Sequence, residues 1–512
     1  MHPSIWAARR PDHAATVMAE TGQTMRYDEL ERQSNRGAQL FRSMGLATGD
    51  TVAIWCDNRP EFLMVSWAAE RAGLSFAPIS TKLTAAEAEF IVRDSDARAV
   101  VASTAIGAEV AALAANMRDG PPILVLGSPI AGAEVWDDAA GRMPDTPIAD
   151  EAPGKPMLYS SGTTGKPKGI RHASRTGTIQ DDHPYEAWLS TSYGVDKDSV
   201  FFSPAPLYHA APLLFSLTCQ RIGATVVLMS RFDPEATLAA IARCRITHAQ
   251  MVPTMFVRML RLPVETRAKY DLSSLRTIVH AGSPCAPDTK RGMIEWLGPI
   301  LDEYYSGSEG FGRTCITSQE WLDHPGSVGR ATHGILHICD DDGDEVATGE
   351  IGAVYIESDV TFDYHKDSQK TADAANPRHP TWRTYGDIGY VDEGGYLYLT
   401  DRRAFMIISG GVNIYPQEAE NILLGHPAVA DVAVIGVPDA EMGEAVKAVV
   451  QPIDASRAGP ELAAELIEWC RGRLSHYKCP KTVDFDGELP RAATGKLHKK
   501  EVRDRYWASN GA

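Results

Sequence analysis

Short apolar segments alternate with amphipathic ones along the first half of the chain, and this alternation is the feature that most restricts the fold. A buried strand is predicted at residues 51–56, TVAIWC, and a helix that ends on glycine at residues 59–73, RPEFLMVSWAAERAG. The pattern recurs at residues 224–229, ATVVLM, which precede a segment where Asp233 can cap a helix beginning at Pro234. Strands that alternate with helices predict a mostly parallel sheet covered on both faces.

The pattern changes twice further along the chain. From about residue 325 it becomes short strands and turns, with a hairpin predicted around the acidic, solvated residues 340–345, DDDGDE. After residues 395–403, GYLYLTDRR, strands and helices form a compact unit of roughly 110 residues. The predicted fold class is therefore α/β. A large N-terminal domain, residues 1–400, has mostly parallel sheets and a β-rich subdomain, and a small α+β domain spans residues 401–512.

Composition excludes some classes of function. A chain of 512 residues exceeds what one core usually supports, and a formal net charge of -17 argues against a nucleic-acid partner. The eight cysteines are scattered without a C-x-x-C pair, which predicts thiols in a reducing compartment and disfavours a structural zinc site. No apolar run resembles a signal peptide or is long enough to cross a bilayer, so we expect a cytoplasmic protein without a membrane span.

Residues 159–170, YSSGTTGKPKGI, combine glycines, hydroxyl residues and two lysines. The stretch does not fit the Walker loop, G-x-x-x-x-G-K-[ST], because, counted from Gly162, Pro167 stands before Lys168 where that motif has its second glycine. Glycines nevertheless expose backbone N–H groups, hydroxyls add donors and lysines add positive charge. A flexible linker is the alternative. The apolar MLY before the stretch and the lysines within it favour the binding of phosphate.

Five segments, taken together, resemble the adenylate-forming superfamily, which includes acyl-CoA synthetases, peptide-synthetase adenylation domains and firefly luciferase. They are residues 159–169, 304–310 (YYSGSEG), 384–387 (TYGD), 401–420 (DRRAFMIISGGVNIYPQEAE) and 489–496 (LPRAATGK). They occur in the family's order and spacing over nearly the whole chain. The resemblance implies that ATP and a carboxylic acid form an acyl-adenylate with Mg²⁺, and that a thiol then attacks it. The C-terminal domain is implied to rotate between the two steps and to carry the catalytic lysine.

The resemblance also implies roles for individual residues. Tyr305 stacks on adenine, Asp387 and Arg402 contact the ribose, Glu309 ligates Mg²⁺, and Lys496 bridges the attacking carboxylate and the α-phosphate. The expected catalytic residues are Lys496, Glu309 and His209, the last near the meeting point of the acid and thiol tunnels. The expected nucleotide- and CoA-binding residues are Ser160, Ser161, Gly162, Thr163, Thr164, Gly165, Lys168, Gly282, Ser283, Tyr305, Ser306, Ser308, Asp387, Arg402, Gly410, Gly411 and Lys478.

Each of these residues also has a simpler interpretation. Tyr305 can be a packed aromatic residue, Asp387 a turn residue, Lys496 a solvated lysine and His209 a core histidine. The chain departs from the family at residues 305–309, Tyr-Ser-Gly-Ser-Glu, and at the hinge. There Ala404 replaces the usual Asp or Lys, and Phe405 replaces an acidic residue. We expect the rotation to occur despite Ala404, with altered kinetics of the half-reactions.

The acyl pocket is expected between the nucleotide loop and the parallel sheet, with apolar walls at residues 206–215, 251–260 and 280–285. Residues 206–212, PLYHAAP, contain no carboxylate to meet the ammonium group of an amino acid. No carrier domain fits in the sixteen residues after Lys496. We therefore predict an AMP-forming ligase that joins CoA to a medium- or long-chain fatty acid or to an aryl or cyclic acid.

Two alternatives stay open. The chain can load the acyl group onto a separate carrier protein, or it can be a non-catalytic homologue that binds nucleotide or acyl groups. The expected ligands are ATP, Mg²⁺, CoA and a small carboxylic acid. A homodimer is the default expectation for a protein of this kind.

Overall fold

The structure is a computed structural model. It describes residues 1–160, 167–173, 176–402, 405–410, 412–439, 441–491 and 497–508, without the side chains of Ser160, Arg402 and Ala508. The chain divides into two compact units. The first comprises Met1–Met251, Arg261–Val279 and Thr361–Thr371, and the second comprises Val252–Leu260, His280–Val360 and Ala372–Ala512.

The helices lie throughout the chain. They are α1 (Ser4–Arg9), α2 (Tyr27–Ser43), α3 (Pro60–Arg71), α4 (Ala85–Asp94), α5 (Gly107–Asn116), α6 (Trp136–Gly141), α7 (Pro184–Tyr193), α8 (Ala210–Ile222), α9 (Pro234–Cys244), α10 (Pro253–Leu260), α11 (Val264–Arg267), α12 (Pro287–Leu297), α13 (Ser318–Asp323), α14 (Ser368–Asp373), α15 (Pro416–Leu424), α16 (Pro460–Arg471) and α17 (Lys499–Ala508).

The strands are mostly short. They are β1 (Ala14–Met18), β2 (Thr24–Arg26), β3 (Thr51–Trp55), β4 (Ser75–Pro78), β5 (Ala97–Ser103), β6 (Ile123–Leu126), β7 (Glu134–Val135), β8 (Lys155–Pro156), β9 (Leu158–Ser160), β10 (Lys168–His172), β11 (Val200–Ser203), β12 (Thr225–Leu228), β13 (His248–Met251), β14 (Thr277–His280), β15 (Leu301–Tyr305), β16 (Arg313–Ile316), β17 (Arg330–His333), β18 (Ile335–Cys339), β19 (Gly352–Glu357), β20 (Phe362–Tyr364), β21 (Trp382–Arg383), β22 (Asp387–Val391), β23 (Leu397–Arg402), β24 (Ile407–Ser409), β25 (Val412–Ile414), β26 (Val429–Asp439), β27 (Gly443–Pro452) and β28 (Thr482–Phe485).

The first unit contains two large sheets that are mainly parallel. One has the order β7-β6-β5-β3-β4-β8, and all its pairings are parallel. In the other, β11, β12, β13 and β1 are joined by parallel pairings, and β2 pairs antiparallel at the edge. Strand β3 is buried along its whole length, as is expected of a central strand in a parallel sheet covered on both faces. A small sheet, β20-β10-β9, completes the unit.

The second unit is richer in antiparallel structure. Strands β15, β16 and β17 form an antiparallel ladder, and β18-β19-β22-β23 form a second sheet to which β21 is added. Beyond residue 405, the order β25-β24-β27-β26 forms a third sheet, and β28 pairs parallel with β27. Helices α15 and α16 pack on this sheet around buried residues that include Ile407, Leu423, Val434 and Leu466.

These elements confirm the predicted fold class and most of the predicted segments. The strand at residues 51–56 is β3, the helix at residues 59–73 is α3, and Asp233 caps α9 by accepting the N–H of Ala236 at 2.9 Å. The acidic stretch lies between β18 and β19, which pair antiparallel as expected. The eight cysteines, all within the described residues, form no disulfide. The domain boundary at residue 401 stays a prediction.

No described helix combines the length and the apolar character needed to cross a membrane.

Candidate active site

The glycine-rich stretch is the connection of a β-hairpin in the first unit. Strands β9 and β10 pair antiparallel, with Ser160 opposite Lys168 at the base of the connection. Five of the predicted phosphate-binding residues lie outside the described residues: Ser161, Gly162, Thr163, Thr164 and Gly165. The binding of phosphate by these residues stays a prediction.

Lys168 is not a solvated cation at this hairpin. Its Nζ lies 2.6 Å from Asp367 Oδ2, and each side chain is only about a quarter exposed, at 26% and 22%. Strand β9 is also held by a residue outside the hairpin, because the hydroxyl of Tyr159 donates to Asp94 Oδ2 at 2.8 Å. The ammonium of Lys168 can therefore bind a phosphate only if it also stays paired with Asp367 or breaks that ion pair.

Three predicted nucleoside-binding residues come together in the second unit. The hydroxyl of Tyr305, at the end of β15, donates to Asp387 Oδ2 at 2.7 Å. Asp387 begins β22, and its cross-strand partner in β23 is Arg402. Gly386, at φ +85°, turns the chain just before this carboxylate, which is 8% exposed. Tyr305 thus supplies an aromatic ring at this point. Segments that lie 82 and 97 residues further along the chain supply a carboxylate and the backbone of a cationic residue.

A fourth residue, Tyr385, organises the loop that follows Tyr305. Its hydroxyl donates to the carbonyl of Gly312 at 2.9 Å and accepts the N–H of Gly312 at 3.1 Å, and its ring stacks on Phe311 at 4.0 Å. Burial raises the pKa of Tyr385, so the hydroxyl stays protonated. Sequence reasoning quoted TYGD but assigned a role only to its aspartate. The signal in the sequence that could have identified Tyr385 was its position between two turn-forming residues.

The loop from Ser306 to Gly312 is tightly packed at Gly307. A Cβ on Gly307 would lie 2.4 Å from the ring of Tyr385 and 2.5 Å from Glu309 Oε2. Ser306 Oγ donates to the carbonyl of Gly312 at 2.7 Å. Ser306 is therefore a support of the loop in this structure, and Ser308 and Glu309 are the half-buried residues at its turn.

The donor set near Glu309 suits Mg²⁺. A carboxylate oxygen is the ligand type that Mg²⁺ prefers, and with nucleotides this ion commonly takes one or two carboxylates plus phosphate oxygens and water. Among the described residues, no three His, Cys, Asp or Glu side chains are grouped so as to hold a metal ion. A single carboxylate on a fixed loop, completed by phosphates, fits this composition.

Gly282 and Ser283 follow the end of β14 in the second unit. Gly282 has φ +88°, and a Cβ built on it would meet only Val252 Cγ1, at 3.8 Å. The backbone beside Gly282 is therefore open to a ligand. The preceding residue, Ala281, is buried at 7% exposure.

His209 lies in the first unit at the N-terminus of α8, where its side chain makes no capping hydrogen bond. Its Nε2 is buried and has no hydrogen-bond partner among the described residues. Burial lowers the pKa of His209 to about 4. The ring lies 4.6 Å from that of Tyr208. His209 is thus a neutral, weakly basic imidazole at pH 7.

The C-terminal candidates are described only in part. Gly410 has φ +58° and lies between β24 and β25, where a Cβ would meet Met442 Cε at 2.5 Å. Lys478 Nζ lies 2.8 and 2.6 Å from the two carboxylate oxygens of Glu418. The ammonium group that was expected to meet CoA is therefore already paired with a carboxylate. Gly411 and Lys496, together with Ala404 of the predicted hinge, fall outside the described residues.

Comparison with known proteins agrees with this arrangement. The family model for "AMP-binding enzyme" matches residues 4–363, and that for "AMP-binding enzyme C-terminal domain" matches residues 418–496. The chain belongs to the AMP-binding enzymes. The feruloyl-CoA synthase of an Amycolatopsis species is 34% identical to it over 509 residues, which are 98% of each chain. The long-chain-fatty-acid–CoA ligase FadD13 of Mycobacterium tuberculosis is 32% identical over 508 residues, 98% of this chain and 96% of that one.

A solved AMP-binding enzyme shares the fold over the same length. ATP-bound MatB from Rhodopseudomonas palustris superimposes with a TM-score of 0.83 at 27% identity, covering 99% of both chains. The roles of the residues around Asp387 stay predictions.

Proposed function

We propose that this AMP-binding enzyme is a carboxylic acid–CoA ligase that uses ATP and releases AMP and pyrophosphate. One observation carries the proposal: the hydroxyl of Tyr305, at the end of β15, donates to Asp387, which lies opposite Arg402 in the ladder of β22 and β23. We infer that these residues bind the nucleoside. Relatives of full length that are CoA ligases for an aryl acid and for a fatty acid support the same chemistry.

In the first half-reaction the chain holds ATP while a carboxylate attacks it. Asp387 accepts the ribose hydroxyls, Tyr305 packs against adenine, and the donors of residues 160–165 offset the charge of the outer phosphates. Glu309 would hold Mg²⁺, which when bound would supply positive charge to offset that of the phosphates. Lys496 aligns the acid with the α-phosphorus, so that a carboxylate oxygen bonds to phosphorus while the bond to pyrophosphate breaks.

In the second half-reaction the sulfur of CoA attacks the acyl carbonyl and AMP leaves. The thiol proton passes to solvent, because His209, whose pKa lies at about 4, is too weak a base to take it near pH 7. The imidazole instead supplies a neutral, space-filling surface. Glycines at residues 410–411 permit close approach of the pantetheine arm.

The acid is proposed to be a fatty acid or an aryl or cyclic acid. Apolar residues dominate residues 206–215 and 251–260, and no acidic residue in the former can receive an ammonium group. A cytoplasmic location and a homodimer stay predictions of the sequence.

The deciding experiment supplies the purified protein with ATP, Mg²⁺ and a panel of acids, and measures pyrophosphate and AMP with and without CoA. We expect acid-dependent pyrophosphate release and AMP release that requires CoA. Lys496→Ala should lower the adenylation rate by roughly 10²–10³-fold, because it removes a charge that stabilises the transition state.

Two results would count against the proposal. Turnover only with a carrier protein in place of CoA would favour the carrier-loading alternative. No acid-dependent exchange of pyrophosphate into ATP with any acid would exclude the ligase chemistry altogether.

A further inference from the structure

The ammonium of Lys168 is held by an internal carboxylate at the base of the glycine-rich hairpin. Its Nζ lies 2.6 Å from Asp367 Oδ2. The contact follows from strand pairing, because β20 pairs antiparallel with β10 and the N–H of His365 donates to the carbonyl of Gly169 at 2.8 Å. The first residue of β10 and the residues just after β20 thus lie side by side. Asp367 is therefore a neighbour of the residue at which the connection of the hairpin enters β10.

The carboxylate of Asp367 is itself fixed and ionised. Its Oδ1 accepts the N–H of Lys370, in the first turn of α14, at 3.0 Å, and its backbone N–H donates to the carbonyl of Tyr364 at 3.0 Å. The hydrogen bond from Lys168, followed by that from the backbone of Lys370, lowers the pKa of Asp367 below its ordinary value. One carboxylate oxygen is thus committed to α14, and the other is paired with Lys168.

The charged residues next to Asp367 in the chain are arranged differently. Lys366 pairs with Asp96, with its Nζ 2.9 Å from Asp96 Oδ1. Asp363, four residues before Asp367, is exposed on β20. Lys168 and Asp367 therefore form an ion pair of their own, and the effect of removing its negative charge can be compared with that of removing a similar charge nearby.

We propose that Asp367 competes with the outer phosphates for the ammonium of Lys168, and that it thereby weakens the binding of pyrophosphate and limits inhibition by this product. The inference rests on the proposed function, in which Lys168 is one of the phosphate-binding residues. A bound phosphate must either displace the carboxylate from the ammonium or lie close to a second negative charge, and both lower the affinity. Because the ion pair is partly exposed, its removal changes a binding equilibrium by only about two- to fivefold. When pyrophosphate leaves, the ammonium returns to Asp367.

The substitution Asp367→Asn tests this competition, because it removes the charge and keeps the shape of the side chain. The side-chain oxygen of asparagine can still accept the N–H of Lys370, since Asn and Asp serve equally well at the start of a helix. The dissociation constants of pyrophosphate and of ATP, each with Mg²⁺, are measured by calorimetry on the full chain without acid or CoA. We expect both ligands to bind about two- to fivefold more tightly than to the wild type. A carboxylate with only a structural role would leave binding unchanged or weaken it on substitution, so the sign of the change is decisive.

Three further variants show whether the effect passes through Lys168. Asp363→Asn removes the same charge from a nearby exposed position and should leave both dissociation constants unchanged. Lys168→Met should weaken the binding of pyrophosphate by about tenfold, because a hydrogen bond between charged groups is lost. In a Lys168→Met background, Asp367→Asn should have no further effect, because the two substitutions act on one interaction.

The outcomes separate the inference from the proposed function. Unchanged or weaker binding in Asp367→Asn would overturn the inference, as would a gain that Asp363→Asn matches or that persists without Lys168. Unchanged binding in Lys168→Met would overturn it too, because there would be nothing to compete for.

All these results are binding constants, whereas the proposed function is judged by acid-dependent release of pyrophosphate from the wild type. An active wild type with no gain in Asp367→Asn would refute the inference and leave the function intact. A gain confined to Asp367→Asn, in a protein that activates no acid, would support the inference and refute the function.

Discussion

His209 is a histidine whose protonation differs between the folded and unfolded chain. Burial lowers its pKa to about 4 from the ordinary value of 6.5. The unfolded chain therefore binds the proton more readily, and the stability that the neutral imidazole contributes is lost as pH falls from about 6.5 towards 4. Between pH 7.5 and pH 5 this loss amounts to about 2 kcal/mol.

The pKa of His209 can be read directly by NMR. In protein with ¹³C-labelled histidine rings, we expect the resonance that disappears in His209→Gln to keep its chemical shift from pH 8 down to about 5.5, one and a half units above the folded pKa of about 4. His476→Gln, at an exposed histidine, is the matched control for the assignment. A midpoint near 6.5 for His209 would contradict the buried, neutral imidazole.

At the scale of secondary-structure elements, local patterns were enough to predict much of the fold. Helix α15 begins at Pro416 as its sequence indicates, and β3 and α3 fall where periodicity puts them, because burial on one face dictates a repeat within a few residues. Tyr305 and Asp387 were identified instead from motifs that resemble those of the adenylate-forming superfamily. Local patterns give no measure of which distant elements meet.

Pairings between distant residues account for what the sequence missed. Lys168 was expected to serve phosphate alone, yet it pairs with Asp367, 199 positions away. The alignment of Asp387 with Arg402 depends on a register shift between Ile388 and Gly389, and one extra residue in a strand changes which side chains face each other. Such shifts are decided by packing of the whole sheet, so sequence spacing cannot supply them.

The loop after β15 provides a prediction at this scale, because the hydroxyl of Tyr385 binds both the N–H and the carbonyl of Gly312. Tyr385→Phe keeps the stacking on Phe311 and removes the hydrogen bonds to Gly312. The two lost bonds are together worth about 2 kcal/mol, so we expect the KM for ATP to rise by up to about 30-fold in steady-state assays. The loop that carries Glu309 would then be less well ordered before ATP binds.

The control for Tyr385 is a tyrosine of the adjoining strand. Tyr390 in β22 stacks on Tyr398 in β23, with the ring centroids 4.9 Å apart. Tyr390→Phe should leave the KM for ATP unchanged. An unchanged KM in Tyr385→Phe as well would mean that the loop is held by its backbone alone.

At the scale of the whole molecule, the predicted ligand-binding residues are distributed over both compact units. Ser160 and Lys168 belong to the first unit, whereas Tyr305, Asp387 and Glu309 belong to the second. The parts of one nucleotide are also chemically distinct, since AMP has a nucleoside and one phosphate and ATP has two phosphates more. Ligands that differ only in their phosphates can therefore reveal which unit binds which part.

Hydrogen exchange with AMP and with ATP measures this division. AMP should slow amide exchange in residues 305–312 and 384–389, because Tyr305 and Asp387 are proposed to bind the nucleoside. ATP with Mg²⁺ should slow the same residues and, in addition, residues 158–172, whose donors are expected to meet the outer phosphates. At a ligand concentration of 100 Kd the slowing reaches about 100-fold at most. Strand β3, buried throughout, is the internal reference.

Asp387→Asn should weaken protection by both ligands, because both depend on the ribose contact. Two outcomes would contradict these assignments. In one, AMP protects only residues 158–172, and in the other, AMP and ATP protect the same residues.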